Sequence, residues 1–216
     1  AITVDVTVNP TAQVDPIDNQ DVCTGEDTKL VSFTTQNTFG DTTYTWEMDT
    51  DIGAGLSGSG NILPFQAENT SNRPIVATVT VTPTFSDGGV SCTGPEETFE
   101  ITVDPVAEVE ATLASEVICS GDDTGIQLTT STRGTQDITY SWIASITTRP
   151  TDGNITDFSD KTTPSELEEI IQTLTNTGTS PGVVTYTITP YIGDCAGTAI
   201  TVDVTVNPTA QVDPID

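Results

Sequence analysis

Apolar and polar positions alternate with a period of two along much of this chain. The pattern is plain in Ile2-Thr3-Val4-Asp5-Val6-Thr7-Val8, in Ala77 to Thr82, in Thr185 to Thr189 and in Ala199 to Val206. One apolar face and one threonine-rich face describe half-buried antiparallel strands. Asn9-Pro10, Asp87-Gly88-Gly89 and Pro181-Gly182 interrupt these runs, so the strands are short and joined by turns. One segment departs from the pattern. In Ser165 to Leu174, apolar residues fall at Leu167, Ile170, Ile171 and Leu174, after Thr163-Pro164 and among acids. This spacing predicts a short helix, with a strand from Ile170 to Asn176 as the alternative.

The landmarks repeat at two levels. Residues 1–18 recur letter for letter as residues 199–216, a period of 198, which reads as slightly more than one repeat of a tandem array cut at an arbitrary point. Inside the period, Val22-Cys23-Thr24-Gly25-Glu26-Asp27 returns as Ile118-Cys119-Ser120-Gly121-Asp122-Asp123, and Thr43-Tyr44-Thr45-Trp46 as Thr139-Tyr140-Ser141-Trp142, both at an offset of 96. Asn69 matches Asn176 at an offset of 107, so eleven residues are inserted between Trp142 and Asn176. Cys92 then matches Cys195 at an offset of 103. These differences fall between elements, as in homologous domains that vary in their loops. The expected fold is all-β: two tandem immunoglobulin-like sandwiches arranged end to end, with the short helix in the second. The expected boundaries are 1–14 for the closing strand and linker of a preceding repeat, 15–107 for the first sandwich, and 108–216 for the second with the start of the next linker. On this reading Ala1 to Val8 have no sheet of their own.

The four cysteines fall two to a unit and lack the close spacing of a zinc site, so they read as one disulfide in each sandwich, Cys23 with Cys92 and Cys119 with Cys195. Each bridge is expected to staple one end of its sandwich and implies an oxidising compartment. Trp46 and Trp142, on the third strand, are the expected core anchors. The motif Val-Asn/Asp-Pro-x-Ala-x-Val-Asp/Glu occurs at Val8–Asp15, Val103–Glu110 and Val206–Asp213. Its prolines Pro10, Pro105 and Pro208 lack an amide proton and have a fixed φ, which ends strand pairing and stiffens the joint.

A formal charge of -27 with no histidine disfavours nucleic acid and anionic membranes, which need Lys and Arg to displace counterions. The acids admit two readings. One is a solvated, self-repelling surface; the other is weak calcium binding at Asp15, Asp18 and Asp21 and at Asp104, Glu108, Glu110 and Glu116, where units join. Missing histidine also removes the commonest general base, and no catalytic residue is assigned. Asn69-Thr70-Ser71 and Asn154-Ile155-Thr156 match the N-glycosylation acceptor. The chain starts with Ala and carries no signal peptide, membrane span or lipidation motif, which reads as an internal slice whose export signals lie elsewhere.

Taken together, the V-C-S/T-G-E/D-D string, the T-Y-S/T-W strand, the T-x-T-P strand end, the C-x-G turn and the closing I-T-V-x-V-T-V-N-P strand resemble the PKD-like, immunoglobulin-fold repeats of giant Bacteroidetes surface adhesins, including those of gliding motility. The resemblance spans both units, at residues 22–27, 43–46, 78–83, 92–94 and 101–105, and again at 118–123, 139–142, 185–190, 195–197 and 200–208. It implies export to the cell surface, anchoring there, and a role as spacer, filament or adhesive stalk. Expected partners are neighbouring repeats, lateral copies and an unidentified polysaccharide or protein. The alternative is a binding module that uses the sandwich-end loops Ile52 to Ile62 or Ile146 to Asp160, where Phe158 is the lone aromatic of the second loop.

Overall fold

The computed structural model describes residues 2–210; Ala1 and Gln211–Asp216, where the third copy of the linker motif continues, lie outside the described residues. The chain divides into two compact units, Ala1–Pro105 and Val106–Asp216. Both are all-β immunoglobulin-like sandwiches.

In the first unit the strands are β1 (Gln20–Cys23), β2 (Asp41–Met48), β3 (Ser57–Ser59), β4 (Ile75–Asp87), β5 (Val90–Thr93) and β6 (Glu97–Asp104). They form one sheet in the order β1-β6-β4-β2-β3, with β5 added to β4. The first strand runs parallel to the last, Cys23 opposite Asp104, while the other pairings are antiparallel. The facing layer is less regular and is stitched by Val31 opposite Ile62 and by the Asp15 N–H to Thr34 O bond of 2.8 Å. Alternation explains the packing: along β4, Ala77, Val79, Val81, Pro83 and Phe85 are buried while the residues between them reach the surface. Trp46, Met48, Ile52, Phe99 and Ile101 complete this core.

The second unit contains β7 (Glu110–Leu113), β8 (Val117–Cys119), β9 (Ile126–Thr129), β10 (Ile138–Thr148), β11 (Ile155–Thr156), β12 (Lys161–Ser165), β13 (Glu169–Ile170), β14 (Thr175–Asn176), β15 (Gly182–Ile192), β16 (Cys195–Ala196) and β17 (Ile200–Asn207). Its main sheet, β12-β10-β15-β17-β8 with β16 on β15, repeats the order of the first unit, again with the parallel pair at the edge. A three-stranded sheet, β13-β9-β7, covers it, and β11 pairs with β14. Tyr140, Trp142, Tyr186, Ile188 and Val204 sit between the layers.

The helix expected in Ser165–Leu174 does not form. Ile170 and Leu174 are fully buried, yet Leu167 and Ile171 are more than half exposed, so the four apolar residues do not share one face. The segment is extended: Ile170 pairs with Ile126, Leu128 N–H donates to Glu168 O, and even-numbered residues from Ile170 onward turn inward. Thr173 lies opposite Asp123 as Gln66 lies opposite Asp27, which is the strand alternative.

Residues 2–8 join no strand, and Ile2, Val4, Val6 and Val8 are almost wholly exposed. The chain enters the first unit at Ala12, which is completely buried, and Val14 and Ile17 pack against the core. Strands β6 and β17 stop at Asp104 and Asn207, one residue before Pro105 and Pro208, where a missing N–H would break the ladder. Pro10 lies in the exposed approach to Ala12.

Candidate functional site

Two devices recur in both units, one at each end of the sandwich. At the end where the chain leaves, Cys23 and Cys119 close β1 and β8, the strands parallel to the last strand of each unit, and a tight turn follows. Thr24 N–H donates to Asp104 O at 3.1 Å and Ser120 N–H to Asn207 O at 2.9 Å, prolonging the parallel ladder by one bond. Gly25 and Gly121 then adopt φ of 86° and 97°, in the left-handed region where glycine is unstrained. Their N–H groups reach across the sandwich to Ala67 O and Leu174 O, each at 2.8 Å.

The same end holds a buried asparagine. Asn69 Nδ2 donates to Arg73 O and Val103 O, both at 2.8 Å, while its Oδ1 accepts from Ser71. Asn176 Nδ2 donates to Ser180 O at 3.0 Å and Val206 O at 2.7 Å, and its Oδ1 accepts from Gly178 N–H at 2.9 Å. Each amide thereby ties the loop before the long strand to the end of the closing strand. Burial of Asn69 also removes its side chain from the reach of a glycosylating enzyme.

At the opposite end, where the chain enters, the C-x-G turn touches the linker. Gly94 and Gly197 donate to Pro83 O and Pro190 O at 2.9 and 2.8 Å. A Cβ on Gly94 would lie 1.9 Å from Ala12 O, and one on Gly197 would lie 2.0 Å from Ala107 O. Both alanines are buried. The glycines therefore leave room for the incoming backbone to cross. Ala12 and Ala107 were visible within the linker motif and the glycines within the turn; that they touch was not.

This geometry overturns the expected disulfide pairing. Cys23 lies at the Ile75 end of the sheet, since it faces Asp104 and Val103 faces Ile75, whereas Cys92 faces Phe85 at the other end of β4. Ten residue steps of strand separate them, roughly 33 Å at ~3.3 Å per residue. Cys119, opposite Asn207, and Cys195, opposite Ile192, are likewise parted by the length of β15 from Gly182 to Ile192. A disulfide spans a Cα separation of only about 4.4–6.8 Å. Cys92 and Cys119 are free thiols; Cys23 and Cys195 are disulfide-bonded.

Trp46 and Trp142 lie in the two cores. Trp142 Nε1 donates to Ser159 O at 3.1 Å, an acceptor supplied by the insertion, whereas Trp46 Nε1 has no protein partner. A Cβ on Gly58 would lie 2.3 Å from Trp46 Cζ2, so glycine lets β3 cross directly over the indole. In the second unit, burial pushes Tyr186 far above the ordinary tyrosine range, and its hydroxyl donates to Gln172 Oε1 at 2.8 Å. Burial, reinforced by the charge of Glu168, raises Tyr140 as well.

The acidic residues do not assemble a metal cage: among the described residues no three His, Cys, Asp or Glu groups are placed to hold an ion. Asp15 instead accepts from Thr34 Oγ1 at 2.7 Å, and Asp104 is buried at the end of β6. Asp18, Asp21, Glu108, Glu110 and Glu116 are exposed. In the expected loops, Ile52 and Ile62 are core residues and Phe158 packs against the second core rather than standing free. A shallow groove does lie between the Trp142 edge, Asp160, Lys161, Leu167, Glu169 and Ile171.

These features define an immunoglobulin-like β-sandwich module. Residues 116–210, within the second unit, match the family model of the PKD-like domain. No curated protein matches the chain. Among solved structures it is similar to a three-domain immunoglobulin segment of titin (11% identity, TM-score 0.45, covering 92% of this chain and 66% of that one). It is also similar to a SusE-like, surface-located polysaccharide-binding protein of Bacteroides thetaiotaomicron (12%, TM-score 0.33, 93% and 34%) and to Drosophila N-cadherin (14%, TM-score 0.31, 94% and 51%). The chain thus spans a third to two thirds of the length of these proteins.

Proposed function

We propose that this chain is a repeat segment of a large exported surface adhesin or filament of the gliding-motility type, whose modules act in series as a stalk that holds an adhesive region away from the cell. The observation that carries this reading is the pairing of a repeated exit device with a repeated entry device. Each unit ends in the same turn and asparagine clamp, each begins with an alanine seated over a glycine, and the linker motif between them recurs at Val8, Val103 and Val206. Any unit can therefore follow any other, and the product of such a chain is length. Small-angle scattering tests it. Two sandwiches in series, each about 40 Å along its strands, should give a maximum dimension on the order of 80 Å. A compact particle near half that length would overturn the stalk. Repeating the measurement with calcium present separates solvated acids from ion-stiffened joints.

A second reading, a carbohydrate- or protein-binding module, draws on the groove of the second unit, where Leu167 and Ile171 stay exposed beside Lys161 and Asp160. Tight binding by this chain on a glycan array, lost on Leu167→Asp, would favour it over a purely mechanical role.

A further inference from the structure

Cys92 and Cys119 belong to different ends of the module, and each is a thiol. Cys119 closes β8 at the exit end of the second unit, opposite Asn207. Cys92 lies on β5 at the entry end of the first unit, two residues before the Gly94 that seats Ala12. We propose that these thiols are the two halves of a bond between consecutive copies: Cys119 of one copy forms a disulfide with Cys92 of the copy that follows.

The linker sets the reach. Asn207-Pro208-Thr209-Ala210 repeats Asn9-Pro10-Thr11-Ala12, so a following copy enters its first unit through the same residues that follow β17 here. From Asn207, the ladder neighbour of Cys119, to the alanine that docks on the glycine of the C-x-G turn is three residue steps, at most about 11 Å. The hairpin carrying Cys92 is thereby delivered to the end face that carries Cys119.

The alternate positions repeat the same spacing along the chain. Cys23 faces Asp104 at an exit end, and Asp104-Pro105-Val106-Ala107 leads in the same three steps to the alanine over Gly197, two residues after Cys195. Those two cysteines, holding the positions that Cys119 and Cys92 hold, are disulfide-bonded. Apolar surface also remains at the entry end of the first unit, where Phe39 precedes β2 and Val90 opens β5.

The chemistry needs an oxidant, for which a small-molecule disulfide serves. Cys119 Sγ, as thiolate, attacks oxidised glutathione and releases one glutathione thiolate. Cys92 Sγ of the following copy then attacks the Cys119 sulfur of the mixed disulfide and expels the second. One protein disulfide forms, one glutathione disulfide is consumed, and two reduced glutathione molecules leave.

The inference rests on the array reading of the preceding subsection, and its readout is separate from particle length. The test is a chain of two consecutive copies with Cys92→Ser in the first and Cys119→Ser in the second, so that the junction pair holds its only unassigned thiols. After equilibration with oxidised and reduced glutathione, the proposal expects no titratable thiol under denaturing conditions and, by non-reducing peptide mapping, a Cys119 peptide joined to a Cys92 peptide. Two titratable thiols, or cysteines capped only by glutathione, would overturn it. A control chain that also carries Cys119→Ser in the first copy should keep one reactive thiol and an unchanged far-ultraviolet spectrum. An elongated two-copy particle without the bond would leave the stalk standing and remove only the clamp.

Discussion

Asn176 Nδ2 donates to the carbonyl of Val206 at 2.7 Å, and Asn69 does the same to Val103 at 2.8 Å, so one buried amide in each unit holds the end of the closing strand. In the first unit Thr24 Oγ1 adds a bond to the next carbonyl, that of Asp104, at 2.5 Å. Asn176→Ala leaves the Val206 and Ser180 carbonyls and the Gly178 N–H without their partner. The expected loss is about 1–3 kcal/mol, the range for an orphaned buried polar group. Thermal unfolding of the second unit measures it, and Asn176→Asp should not restore stability, because a carboxylate offers no N–H.

Gly197→Ala should lift the linker from its seat. The new Cβ would meet the Ala107 backbone at 2.0 Å, and a backbone carbonyl cannot swing aside as a flexible side chain can. Limited proteolysis should detect new cleavage around 105–110 while the sheet β12-β10-β15-β17-β8 stays protected.

Gly58→Ala should destabilise the first unit by about 1–3 kcal/mol, the usual cost of overpacking, since Trp46 lies 2.3 Å from the added carbon. Pairing the change with Trp46→Phe should recover part of the loss, and urea titration of both variants checks this. If the double variant is no better than the sum of its parts, the indole is not the obstacle.

The two-unit fold was legible because alternation, tryptophan-bearing strands and the C-T/S-G turn are local signals. What escaped was which end of the sandwich a residue occupies. Cys23 and Cys92 each sit beside a turn, but turns cluster at both ends, and only strand registers such as Cys23 opposite Asp104 and Cys92 opposite Phe85 separate them. The Ser165–Leu174 segment misled for a related reason: exposed Leu167 and Ile171 mimic a helical stripe that burial does not respect. The contact of Ala12 with Gly94 joins residues far apart in sequence, and neither residue type announces its partner.

Alkaline pH should destabilise the second unit. Burial holds Tyr186 and Tyr140 above the ordinary tyrosine value near 10. Their pKa values in the folded state exceed those in the unfolded chain, so their contribution is complete below pH ~10 and is lost as pH rises above it toward the folded values. Tyr186→Phe should flatten the decline of melting temperature above that pH.

Asn69 should carry no glycan when the chain is produced in a glycosylating host, because its amide is buried and fully engaged, while Asn154 is the accessible acceptor of the two. Intact mass before and after glycosidase treatment decides this.

Because β1 runs parallel to β6 at the sheet edge, and the chain arrives at one pole of the module and departs from the other, tension along the chain would draw these two strands lengthwise past each other. Under such shear the rungs of the ladder bear force together instead of unzipping one by one. A string of these modules should therefore resist rupture far better than its thin, threonine-rich cores suggest.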